Sequence, residues 1–186
     1  TTVPTMTLSC SAVTDGGSHN AAVTMTFTSS EATGDFISGD VKLQAGASIS
    51  NWTAVSSTVY TSTITPGSEG AMNVSVIVDK FTDGAGNNNT ASNTYSWTHD
   101  ATVPTMTLSC SAVTDGGSHN AAVTMTFTSS EATTDFVVGD VTATNASLGS
   151  WSAVSSTVYT ATVTPSSSST TPSIVVAASK FTDGAG

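Results

Sequence analysis

Among 13 acidic residues, six stand at turn-like positions where chemistry is conceivable: Asp15, Glu31, Asp83, Asp100, Glu131 and Asp183. Several of them neighbour Gly, Asn, Ser or Thr, and a hard cation such as calcium takes its ligands from carboxylates, carbonyls and Asn side chains. The full spacing of a helix–loop–helix calcium loop is absent. The alternative is that these are solvated turn residues, because Asp and Asn favour turns by bonding their own backbone. Two thiols, Cys10 and Cys110, are candidates for cross-linking neighbouring chains or for simple burial. Asn51, Asn73, Asn88 and Asn145 each open an N-x-S/T sequon, a possible site of N-glycosylation. Catalysis has little support. His19, His99 and His119 are the histidines, and no nucleophile elbow surrounds any serine that could be combined with them. The run Asp15-Gly16-Gly17-Ser18-His19-Asn20 lacks zinc-ligand spacing. The chain is read as having no catalytic residues and as not being an enzyme.

Charge narrows the partners. Three lysines (Lys42, Lys80, Lys180), no arginine and 13 acids give a net charge of −10. Nucleic-acid binding needs basic side chains to displace phosphate counterions, so it is excluded as an expectation. Attachment to an anionic lipid surface is disfavoured for the same reason. No apolar run approaches the ~20 residues of a membrane-spanning helix, so direct membrane contact is not expected. Ser and Thr together make 67 of 186 residues, so hydroxyls rather than charges carry most of the solubility.

The elements that must position these residues come in duplicate. Residues 2–33 and 102–133 are identical over 32 positions. AVSSTVYT recurs at 54–61 and 153–160, and KFTDGAG at 80–86 and 180–186. A period of about 100 residues is the size of one β-sandwich domain. Within it, Met6, Leu8, Cys10 and Ala12 alternate with Ser and Thr, as do Val23, Met25 and Phe27. Tyr60, Ser62 and Ile64 share one face of a further strand. Met72, Val74, Val76 and Val78 share another, and Tyr95 pairs with Trp97. Period two means strands with one face in a core and one in water. Turn-formers separate them at 15–20, 39–40, 66–70 and 83–89.

The reading is all-β: two tandem immunoglobulin-like β-sandwiches, 1–100 and 101–186, the second lacking its last strand. The segment NNNTASNTYSWTHD at 87–100 has no counterpart after Gly186. Truncation is the simpler explanation, and a last strand supplied by another chain is the alternative. A linker as short as THD at 98–100 implies a stiff connection between repeats.

The strings FTSSEAT at 27–33, GDV at 39–41, NWTAVSSTVYTSTITP at 51–66 and FTDGAGNNNTAS at 81–92, in that order, resemble the bacterial Ig-like repeats of very large surface adhesins. The resemblance covers the first repeat and all that is present of the second. It implies a spacer role in a long extracellular array that lifts a terminal binding domain from the cell. The implied partners are further Ig-like repeats of the same chain, with neighbouring chains of a fibre as a further option. It also implies calcium at domain junctions in some related arrays. The alternative function is a carbohydrate- or ligand-binding accessory sandwich of a secreted protein. That alternative calls for exposed aromatics, whereas Trp52, Trp97 and Trp151 fit core positions.

The sandwich topology then assigns places. Glu131 and Asp183 are expected at one end of the second domain, with Asp100 in the linker and Asp15 at the facing end of the first. Glu31 and Asp83 form the matching pair at the outer end. Calcium there would neutralise clustered carboxylates. Cys10 shares the inward face of Met6 and Leu8, so burial is preferred over cross-linking for Cys10 and Cys110.

Overall fold

A computed structural model describes residues 2–186. The chain divides into two compact units, one up to Thr102 and one from Val103 through Gly184. In the first unit, β1 (Met6–Cys10), β3 (Val23–Ser29), β6 (Val59–Thr65) and β5 (Ser48–Ala54) form a four-stranded sheet in the order β1-β3-β6-β5. A second sheet orders β2 (Ser18–His19), β8 (Tyr95–His99), β7 (Gly70–Val76) and β4 (Val41–Leu43) as β2-β8-β7-β4. β2 pairs parallel to β8 and the other pairings are antiparallel. Inward residues of both sheets join one core of Met6, Leu8, Val23, Met25, Phe27, Ile64, Met72, Val74, Val76 and Trp97. The opposite faces carry hydroxyls: Thr24 lies across from Thr63, and Thr26 from Thr61.

The second unit repeats most of this plan. β9 (Met106–Cys110), β10 (Val123–Ser129), β13 (Val158–Pro165) and β12 (Ala146–Ala153) form a sheet in the order β12-β13-β10-β9. The facing sheet contains β11 (Val141–Thr144) and β14 (Ser173–Val176) alone. Among the described residues it has no counterpart of β8. Its core is correspondingly reduced to Phe127, Phe136, Val141, Tyr159 and Ala161, with Met106, Leu108, Met125, Ile174 and Val176 only half-buried against it.

Each repeat bulges once in the same place. Pairing between β5 and β6 slips between Ser50 and Thr53, and Asn51 takes the left-handed conformation at φ 52°. The slip between Gly149 and Ser152, with Ser150 at φ 48°, is its copy. A bulge re-aims the following side chain. Here it lays Trp52 and Trp151 against the core rings.

Three local expectations fail, for physical reasons. The inward face of β1 ends at Cys10: Ala12 is exposed, and Val13 is buried because the chain turns over the sandwich end. In β7 the alternation ends at Val76, after which Ile77 and Val78 are both exposed in a turn. The run 15–20 is more than a turn, since Ser18–His19 extends the second sheet as β2.

Candidate functional site

The polar residues gather at the sandwich ends and along the edge closed by β8. Tyr60 Oη donates to the Thr33 carbonyl at 2.8 Å, and Tyr159 Oη to that of Thr133 at 2.9 Å. Burial, with the nearby Asp35 or Asp135 charge, raises both phenols above their ordinary pKa. Thr33 Oγ1 donates to Asp35 Oδ1 at 2.7 Å. Asp35 also accepts the Thr82 N–H at 3.0 Å and the Thr82 hydroxyl at 2.9 Å. Burial pushes the Asp35 carboxyl up, but these three donors outweigh it and hold it below the usual carboxylate range. Asp135 repeats the arrangement with Thr133 and Thr182, and the Thr133 hydroxyl is the main cause of its lowered pKa. Sequence reasoning missed this pair. The available signal was an acid two residues after a Thr, recurring at the same place in each repeat.

Asp83 serves its own loop. Its Oδ1 accepts the N–H groups of Ala85 and Asn87 at 2.8 and 2.9 Å, and its Oδ2 accepts Asn87 Nδ2 at 2.7 Å. The Asn87 side chain first, then backbone donors, hold its pKa down. Next to it, Asn89 is buried and fully used. Its Oδ1 accepts from Lys80 N and Phe81 N at 2.7 and 3.0 Å, and its Nδ2 donates to the Ile77 and Thr90 carbonyls. Glu31 is half-buried in the turn after β3.

Asp15 holds the last strand. Its Oδ1 accepts the Ser96 N–H at 2.8 Å and the Ser96 hydroxyl at 2.9 Å, and these bonds lower its pKa. Asp100 accepts the Thr102 N–H at 3.2 Å. In the second unit, carboxylate oxygens of Glu131 and Asp183 lie within 4.8 Å of one another, so the sandwich end does unite this pair. Two half-buried carboxylates so close suit a hard cation.

Cys10 and Cys110 are free and half-buried at the ends of equivalent strands, with Cys10 packed against the core. Asn51, Asn73, Asn88 and Asn145 are all exposed, and each uses its amide locally, with Thr63, Gln44, Asp79 and the Thr171 carbonyl as acceptors. His99 ends β8 rather than lying in a free linker, with its ring nitrogens 3.1 Å from the Ser68 carbonyl and 3.3 Å from that of Asn20. His119 contacts Ala121 in its own turn.

The aromatics turn inward. Phe27, Phe36, Trp52, Tyr60 and Phe81 form one ring cluster with centroids 5.1–5.8 Å apart. Phe127, Phe136, Trp151, Tyr159 and Phe181 repeat it at 5.0–6.0 Å. Trp52 does stack on Tyr60 at 27°, but Tyr60 is only 4% exposed, so the pair is a core contact and no flat sugar platform. A shallow cavity of about 280 Å³ on the β4–β7 face is lined by Lys42, Leu43, Gln44, Asn73, Ser75 and Thr94, without a carboxylate, imidazole or thiol.

The sheets, their order and their shared core define each unit as a sandwich of the immunoglobulin type. The chain belongs to the bacterial Ig-like domain family, whose pattern matches residues 1–98 and again 100–186. Domains of this family are generally non-catalytic and typically belong to extracellular or surface proteins. No curated protein matches the chain. Among the described residues, no helix is long and apolar enough to cross a membrane.

Proposed function

We propose that this chain is a non-catalytic spacer from an extracellular adhesin or cell-surface filament, in which sandwich repeats set length and stiffness. One observation carries the reading: what the two repeats share is the ring cluster, the bulge and the Asp–Thr staples, all of which serve packing. The chemistry-bearing side chains are absorbed by the same purpose. Asp15, Asp35 and Asp83 hold backbone in place, and the tryptophans face inward. Calcium belongs to this reading through Glu131 and Asp183, where it would relieve repulsion between the two carboxylates. Further repeats of the same chain are the natural partners.

Force spectroscopy on a concatemer of complete repeats tests the proposal. Equal unfolding steps, one per repeat, and no binding across a panel of polysaccharides are expected. Specific sugar binding would favour an accessory binding module instead. Calcium is tested separately by melting with calcium and with chelator, where coincident curves remove it from the reading.

A further inference from the structure

We propose that Glu69 is a positioning residue that latches the linker to the first repeat, fixing the chain from Asp100 to Thr102 where it leaves that unit. Its carboxylate reaches residues 32 and 33 positions away. Glu69 Oε1 accepts the Ala101 N–H at 3.3 Å, and the Thr102 hydroxyl donates to Oε1 at 3.2 Å and to Oε2 at 3.3 Å. A carboxylate acceptor makes such bonds stronger than neutral ones. Two more bonds complete the hold. Asp100 N donates to the His19 carbonyl at 3.2 Å, and Thr102 N to Asp100 Oδ1 at 3.2 Å. Three successive N–H groups, those of Asp100, Ala101 and Thr102, therefore have acceptors within the first unit. In a free linker such donors would turn to water.

The post that carries Glu69 is itself fixed. It stands in the hairpin between β6 and β7, where the Gly67 backbone lies so close to Gly46 that a side chain at 67 would run into the Gly46 carbonyl. The His99 ring, at the end of β8, places Nδ1 3.1 Å from the Ser68 carbonyl of the same hairpin. The root of the linker and the hairpin thus meet twice, at Ser68 with His99 and at Glu69 with Ala101 and Thr102.

The second repeat shows that the hairpin itself does not need the acid. Counted from the shared proline, Pro66 or Pro165, Ser168 takes the place of Glu69. β13 and β14 form on either side of that hairpin, and no carboxylate stands in the run from Ser166 to Pro172 between them. Glu69 is exposed, and the bonds of its carboxylate go to residues beyond the last strand of its own sandwich. An acid with that placement serves the linker. The latch bears on stiffness through the spacer reading proposed above, while its contacts stand without that reading.

The test follows amide hydrogen exchange and the heteronuclear Overhauser effect at Asp100, Ala101 and Thr102 in the isotope-labelled 186-residue chain. Chelator is present throughout, so the result is independent of calcium. Glu69→Ala should speed exchange of the Ala101 N–H roughly fivefold by removing its acceptor, and lower its Overhauser effect toward that of a mobile chain. Glu69→Gln keeps a side-chain acceptor and should stay within roughly twofold of the parent. The Thr98 N–H, bonded to the Gly17 carbonyl, and the urea midpoint of the first repeat should not move. The proposal is overturned if Ala101 is unprotected in the parent or if Glu69→Ala leaves it unchanged. It is equally overturned if the loosening spreads to Thr98, which would mean that the sandwich edge had opened rather than the linker. Unequal unfolding steps or sugar binding would sink the spacer reading and leave these amide readouts untouched, so the two failures are told apart.

Discussion

Met25 is fully buried and Met125 is half-buried, although both stand third in the same strand sequence VTMTFTS and pair with Cys10 and Cys110 in the same register. Leu8 and Leu108, and Val13 and Val113, diverge likewise. Phe27 and Phe127 do not: both are 0% exposed, because each is enclosed by its own ring cluster. Burial is therefore a property of the assembled sandwich. Local pattern decides which face of a strand turns inward, and a remote strand decides whether that face becomes dry. The centre of each repeat is closed by its ring cluster, whereas in the first repeat Tyr95 and Trp97 of β8 complete the core at the edge.

Removing Trp97 attacks this contrast most directly. Trp97→Ala should cost the first repeat about 3–5 kcal/mol, as expected for truncating a large buried aromatic, and bring it toward the second. Urea unfolding should show two transitions in the parent chain, the second repeat melting first, and the variant should shift only the later one. Next, Met25→Ala should cost about 3 kcal/mol and Met125→Ala about 1, since little cavity forms at a site already half-open. Equal costs would break the comparison. Asn89→Ala should cost roughly 2 kcal/mol in the first repeat by leaving the Lys80 and Phe81 N–H groups without their acceptor, measurable as a shift in urea midpoint.

The smallest effect is in acid. Asp15, Asp35 and Asp83 in the first repeat, and Asp135 in the second, have folded-state pKa values below the ordinary carboxylate value. Such groups add stability above about pH 4, and that contribution disappears as pH falls through their lower folded values. Between about pH 5 and pH 2 the first repeat should lose stability more steeply, because three such groups lie in it. Urea midpoints for each transition across this window check the expectation.

Much of the fold was legible in the sequence because two signals agreed: a period of about 100 residues, and alternation within it. The strands ran true wherever apolar residues alternated with Thr or Ser over five residues or more, as in β3 and β6. They failed at strand ends, where Ala12 and Val78 continue the pattern but the chain has already turned. A turn is set by backbone partners such as the Asp79 N–H bonded to the Asn89 carbonyl, which no local pattern reveals. The polar positions were less legible for a related reason. Composition marks an Asp as a turn residue or a ligand, but only the fold shows Asp15 engaged with Ser96, 81 residues away. Asp35 escaped notice because its partner Thr82 is 47 residues distant.

The threonine rows on β3 and β6 have a consequence for where such a protein can work. Thr24 faces Thr63 and Thr26 faces Thr61 on the outer side of the sheet. Between dilute and molar salt the screening length of water shrinks from about 30 Å to about 3 Å, and surfaces knit by ion pairs loosen accordingly. Hydroxyl contacts have no charge to screen. A sheet face clad in this way has no ion pairs for added salt to loosen.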